Sequence, residues 1–193
     1  MLVITGWGSE IAAALCRLLP AGEAAASSIQ AIDTSASRYL FCHGLLRSKR
    51  IEDQTRDEIA DSFWVNYAST VIACREIFAA NPRARICIVG SESGYRGSYD
   101  DVYAAAKAAL HLFVETERLG PHQQLVAVSP GIVGDAGMTT RRTDIANLER
   151  RRRTHPKQRF ITSAEVASMI YSLLYVDSGF VSGTVVRLHG GAA

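Results

Sequence analysis

No stretch of this chain is long and apolar enough to span a bilayer, and its first residues lead straight into a strand-like run rather than a cleavable leader. A cytoplasmic protein with no membrane partner is the expectation. Cysteine is sparse and scattered: Cys16, Cys42, Cys74 and Cys87 show no Cys-x-x-Cys spacing and no Cys/His clustering. That excludes a disulfide framework, makes no metal site expected, and leaves buried, reduced thiols. Aromatic residues are few at 8% and do not alternate with basic ones, so nucleic acid is not an expected partner. Neither sign of charge dominates: the net charge is +2, with 48% hydrophobic residues, the balance of an ordinary globular protein. At 193 residues the chain is expected to form a single domain, 1–193.

What the chain does have is concentrated between Arg85 and Leu110, RICIVGSESGYRGSYDDVYAAAKAAL. A β-branched run, Ile86 to Val89, gives way to small turn residues and then to an alanine-rich helix. Ser91 falls at the carboxyl end of the strand, where open α/β sheets place their ligands. Tyr103 and Lys107 stand at i and i+4, hence on one helix face with side-chain ends that can meet one target. A free tyrosine has a pKa near ~10 and is a poor proton shuttle at neutral pH. A nearby ammonium favours the phenolate and brings it toward the working range, while a serine hydroxyl can hold a carbonyl or alcohol oxygen within reach. A Tyr-x-x-x-Lys pair on an exposed helix face with no chemical role is the bland alternative.

Leu2 to Ile4 reads as a strand that ends in Thr5-Gly6-Trp7-Gly8, with Ser9 capping a helix from Glu10 to about Leu19. Strand, glycine turn and helix form the opening unit of a dinucleotide-binding fold, though such turns also use glycine for tightness alone. Residues 21–37 contain only SIQAI as a candidate second strand. Asp33 follows it at about the position of a ribose-binding acid. Geometry argues against that strand. From its top to the bottom of a strand at Arg38–Gly44, on the far side of strand one, is roughly 20 Å. The four residues Thr34 to Ser37 reach about 15 Å. His43, beside that strand's end, is either functional or a satisfied structural group. Asp57 to Ala80 reads as one long helix whose Ile59, Phe63, Asn66, Tyr67, Thr70 and Cys74 recur at helical spacing. Leu125–Ser129 and Val185–Leu188 are further strands, and Ser163 is the expected cap of a helix over Ala164–Leu174.

GSESGYRG followed by Tyr103-Ala-Ala-Ala-Lys107 resembles the active-site segment of the classical short-chain dehydrogenase/reductases. Asn66 in FWVNYAST, Pro130-Gly131 in LVAVSPGIV, and GFVSGTVVRLHGG near the carboxyl terminus are similar to further family segments in the family's order. The resemblance implies a Rossmann-like, doubly wound, mostly parallel α/β sheet, here lacking the usual region of the second and third strands. It implies NAD or NADP as cofactor and a carbonyl/alcohol substrate pair. Tyr103 would be the acid/base, Lys107 its tuner and ribose anchor, Ser91 the holder of the substrate oxygen, and Asn66 a relay residue. Gly6, Trp7, Gly8, Gly44, Lys107, Pro130, Gly131 and Ile132 would touch the cofactor. A homodimer or homotetramer would pack through the helices of Asp57–Ala80 and Tyr103–Arg118. Three departures weaken the cofactor side: the glycine loop is only TGWG, the strand-four motif is Phe41-Cys42-His43-Gly44, and Asp135 stands where the family has threonine.

Residues 138–160 fall where the family has its substrate lid, with Arg141, Arg142, Arg150, Arg151, Arg152, Arg153, Lys157 and Arg159 against Asp144 and Glu149. Such a run is a solvated face or a basic lid for a small, anionic or carrier-bound substrate. Two rivals to the oxidoreductase use the same residues differently. One is a cofactor-independent isomerase, lyase or dehydratase working through Tyr103 and Lys107; the other is a non-catalytic partner protein.

Overall fold

The computed structural model describes residues 1–192. Six parallel strands make one sheet in the order β2-β1-β3-β4-β5-β6. They are β1 (Leu2–Thr5), β2 (Ala24–Ala26), β3 (Arg38–Phe41), β4 (Arg85–Val89), β5 (Gln124–Pro130) and β6 (Thr184–Leu188). Alternate residues of the strands feed two apolar layers. Leu2, Ile4, Leu40, Cys87, Val126 and Val128 pack under α1 (Glu10–Cys16) and α8 (Ser163–Tyr171). Val3, Tyr39, Phe41, Ile86, Ile88 and Leu125 pack under α3 (Ser69–Ala80) and α5 (Asp101–Thr116). The remaining helices are α2 (Arg56–Phe63), α4 (Ser93–Arg96), α6 (Gly137–Thr140) and α7 (Ile145–Thr154). No helix among the described residues is long and apolar enough to cross a membrane.

The second strand is present, but not at SIQAI. It is the alanine run Ala24–Ala26, paired Leu2↔Ala24 to Ile4↔Ala26. Alanine has little preference for strands, so its partner, not its own composition, makes it one. The shift answers the reach problem, since residues 27–37 can extend over roughly 35 Å. That connection has no helix or strand; Ile29 and Ile32 tuck it against the α3/α5 layer. Asp33 turns inward on its own loop, accepting from the Ser35 N–H and hydroxyl at 2.8 and 2.7 Å, and so is spent on a local turn.

The expected long helix is continuous over 56–80 but passes through a π-helical turn, Trp64–Ala68, centred on Asn66. The extra residue in that turn rotates the face, and Phe63, placed by strict helical spacing on the buried stripe, lies outside it at 37% exposure. Two of the cysteines, Cys74 and Cys87, are buried, whereas Cys16 and Cys42 are half-buried rather than buried; all four are free thiols. The cap of α8 is Thr162, in a reciprocal capping box with Glu165, one residue ahead of Ser163. At the amino-terminal end of the sheet, Arg38 donates to the Leu174 carbonyl, and Arg85 to those of Leu173 and Asp177. These bonds satisfy carbonyls around a second π-helical turn, Ser172–Val176.

Candidate active site

All six strands run the same way, so Thr5, Phe41, Val89, Pro130 and Leu188 end on one rim. Ser91 follows β4 directly. Asp100 caps α5, its Oδ1 accepting from the Tyr103 N–H at 3.0 Å, which fixes the first turn carrying Tyr103. The same carboxylate accepts from the Arg47 N–H (2.8 Å) and from Gln54 Nε2 (3.1 Å), tying the loop after β3 to that turn.

Lys107 is 3% exposed, donates to the Val89 carbonyl at 2.9 Å, and lies 5.8 Å from the centre of the Tyr103 ring. The two side chains share one pocket, as their spacing predicts. Their electrostatics differ from expectation. Burial pushes the Tyr103 phenol up, Asp100 adds to that, and only the neighbouring Ser91 opposes it. Burial lowers Lys107 to about 8. Burial is the larger force on the phenol, so it holds its proton at neutral pH.

Gly44 lines the same pocket. A Cβ there would sit 3.3 Å from Asn66 Oδ1, 3.6 Å from Met138 Cε and 3.9 Å from Lys107 Nζ. Asn66, Met138 and Lys107 thus close in on Gly44, which leaves no room for a larger side chain between them, and Met138, the first part of the basic segment, leans over it. Asn66, 1% exposed, has its amide fully engaged. It donates to the Leu45 and Ser62 carbonyls at 2.8 and 2.9 Å and accepts from the Leu45 N–H at 2.9 Å. These bonds hold the Gly44–Leu45 segment in place. His43 is a structural group: its ring nitrogens meet the Thr5 and Thr70 hydroxyls at 2.7 and 3.1 Å, and burial lowers its pKa to about 4.

Four groups around Ser91, His111's spacing apart, carry no mark in the sequence. Glu92, 7% exposed, accepts from the Ser129 hydroxyl (3.0 Å) and is gripped by both ends of the Arg187 guanidinium (3.0 and 2.6 Å). The Arg187 guanidinium also covers the Tyr95 ring at 4.2 Å, and Tyr95 stacks on His111 at 4.7 Å. His111 Nε2 accepts from the Ser91 N–H at 3.4 Å, and burial lowers its pKa to about 4. Its ring fills the space that a Cβ at Gly90 or Gly94 would need, with contacts of 2.5 and 2.8 Å. One signal was available: His111 continues the four-residue step from Tyr103 to Lys107.

On the cofactor side, Gly6 (φ +71°) brings the first turn against the end of β3, where a Cβ would lie 2.5 Å from the His43 nitrogen. Trp7 is 44% exposed, and the space beside Gly8 is open. Pro130, Gly131 and Ile132 continue β5 past the rim, with the Gly131 N–H donating to the Leu188 carbonyl at 3.2 Å. Asp135 is exposed, and one of its oxygens accepts from the Ser163 N–H and hydroxyl at 2.8 and 3.0 Å. The residues that would hold a nicotinamide–ribose are Lys107, whose ammonium has two donors beyond the one spent on Val89, and the Pro130–Ile132 wall, with Gly44 bringing backbone rather than a side chain close to Lys107. Among the described residues no group of three or more His, Cys, Asp or Glu side chains gathers as metal ligands.

Sheet order and strand-end loops define a Rossmann-like α/β protein. Residues 21–193 match the model of the family described as Enoyl-(Acyl carrier protein) reductase, and the chain belongs to this family of short-chain dehydrogenase/reductases. No curated protein gives a sequence match. Solved structures align over 98% of the chain. One is a short-chain (glucose/ribitol) dehydrogenase from Brucella melitensis, at 19% identity, 95% of that chain and TM-score 0.82. Another is the 3-oxoacyl-[acyl-carrier protein] reductase of the same organism, at 20%, 90% and 0.79. A third is the aldohexose dehydrogenase of Thermoplasma acidophilum, at 18%, 92% and 0.79. At these identities the likeness is one of fold.

Proposed function

We propose that the protein is an NAD(P)-dependent oxidoreductase that interconverts a carbonyl and an alcohol at Ser91, Tyr103 and Lys107. The observation that carries this reading is the shared pocket: a protonated phenol and a buried lysine facing Gly44, with Ser91 opposing the phenol's upward shift. The nicotinamide, when bound, supplies or accepts the hydride. In the reductive direction the Ser91 hydroxyl holds the carbonyl oxygen and Tyr103 gives it a proton as the carbon becomes an alcohol. The phenolate left behind is stabilised by Ser91 and by the Lys107 ammonium, which at a pKa of about 8 carries its charge at neutral pH. We assign Asn66 a positioning part, because its amide is committed to Leu45 and Ser62.

The substrate class that fits best is anionic, including carrier-borne acyl groups. Arg150, Arg151, Arg153 and Lys157 on and after α7 form no ion pair among the described residues, whereas Arg142, Arg152 and Arg159 do. The family description and the 3-oxoacyl-[acyl-carrier protein] reductase neighbour point the same way. A homo-oligomer through α3 and α5 is supported by an open groove lined by Tyr67, Leu112 and Phe113, with Arg75 and Glu117 at its end. Titration with NADH and NADPH, read by energy transfer from Trp7 and Trp64, tests the cofactor. Saturable quenching is expected. Its absence at millimolar cofactor rejects this reading in favour of the cofactor-independent isomerase or lyase, which the TGWG turn favours.

A further inference from the structure

The turn that carries Ser91 is closed into a ring by groups from three other elements. On one side, Glu92 anchors it to the ends of β5 and β6. Its backbone N–H donates to the Pro130 carbonyl at 3.0 Å. Its buried carboxylate accepts from the Ser129 hydroxyl at 3.0 Å and from Arg187 at 3.0 and 2.6 Å, with Arg96 a further cation at 3.6 Å. On the other side, α5 supplies His111, which accepts from the Ser91 N–H. Tyr95 joins the two sides, stacked on His111 and covered by Arg187. Within the ring the Ser91 hydroxyl oxygen accepts from the Ser93 N–H at 3.1 Å. That bond takes a lone pair and leaves the hydroxyl proton to be donated outward.

A buried ion pair is weak support for stability, because desolvation offsets its attraction, and an apolar pair in the same space would hold the sheet as well. What an apolar pair does not do is fix a turn residue at two points, as the paired N–H donors of a guanidinium do. Nor does the charge on Glu92 move the phenol directly: the causes acting on Tyr103 are burial, Ser91 and Asp100. We propose that Glu92 is the positioning residue for Ser91, locked by Arg187 from β6, and that it acts on the chemistry only through the Ser91 hydroxyl. Its catalytic consequence rests on the carbonyl–alcohol reading above.

Two measurements test it on Glu92→Gln, Arg187→Met and Arg187→Lys. The first, amide hydrogen exchange followed by NMR, needs neither substrate nor cofactor. The Ser91 and Ser93 amides should exchange about tenfold faster or more in Glu92→Gln and Arg187→Met, with β1 and β3 at wild-type rates and Arg187→Lys in between. Unchanged rates overturn the inference, and so does acceleration spread evenly over the sheet, the mark of a merely structural pair. The second is turnover of a 3-oxobutanoyl thioester with NADPH, in the wild type and in Ser91→Ala; where the thioester is not turned over, exchange decides alone. Glu92→Gln and Arg187→Met should each lower kcat by about 10²-fold, the scale of a misplaced group, with NADPH affinity retained. In the Ser91→Ala background the same changes should add nothing. Losses that multiply with that of Ser91→Ala overturn the inference and leave the oxidoreductase reading standing. Exchange as expected without binding of NADPH or NADH supports the positioning of Ser91 and rejects the nicotinamide reading.

Discussion

Tyr103 and Lys107 show what side-chain spacing conveys and what it leaves out. Their i, i+4 placement puts them in one pocket, but spacing says nothing of how dry the pocket is. Burial is the larger force on both groups, raising the phenol and lowering the ammonium to about 8. A consequence follows for pH. Under the proposed function the proton donor in carbonyl reduction is the neutral phenol, so reductive kcat/KM should hold at neutral pH and fall as pH rises through the phenol's elevated pKa. Tyr103→Phe should lower turnover by about 10³-fold, the scale of one general acid. It should do so without loss of cofactor binding in the Trp7 titration, since the ring itself is retained. Retained turnover in the Phe variant would remove Tyr103 from the chemistry. Ser91, Tyr103 and Lys107 were legible because a strand end and a helical step place them. Glu92 and Arg187 were not, because their partnership joins β4's turn to β6 and no local pattern signals it.

Among the elements, the π-helical turn at Trp64–Ala68 shapes the site most. It lets Asn66 point at Leu45 from within a helix that otherwise packs by ordinary spacing, and so holds Gly44 opposite Lys107. Asn66→Ala would leave the Leu45 N–H and carbonyl without their partner. Each orphaned buried group costs about 1–3 kcal/mol. A loss of about 2–4 kcal/mol in urea unfolding is expected, together with weaker cofactor binding as Gly44 loosens. Unchanged stability would mean that water replaces the amide at no cost. The helix was legible from its apolar spacing; the π turn was not, because it adds a residue without any change of composition. The central strands read clearly, being β-branched and buried on both faces. Three alanines at the edge carry no such mark, and β2 exists through its register with β1.

For the molecule as a whole, two histidines, the buried His111 and the half-buried His43, set the acid limit of stability. His43 links the ends of β1 and β3 to α3, and His111 wedges α5 against the Ser91 turn. Both are lowered to about 4 by burial, with Lys107 as a further cause. The unfolded chain binds protons at these rings below a pKa near ~6.5, while the folded one does not until about 4. Folded pKa values depressed below the unfolded ones mean that stability is lost as pH falls through that window. The slope is about 1.4 kcal/mol per pH unit for each proton taken up. Unfolding free energy measured from pH 7 to 4 should therefore decline steadily below 6.5, and His43→Gln should remove about half of the histidine contribution. A flat profile to pH 4.5 would show that the rings are hydrated in solution. Fold class and the outline of the rim were readable in advance, since they rest on periodic patterns. The state of charge was not, since it depends on which surfaces meet.

Arg187 reaches from the final strand to the carboxylate next to Ser91. Until β6 pairs with β5, the turn that carries Ser91 lacks this clamp, so the last strand to join the sheet is also the one that fixes a loop two strands away.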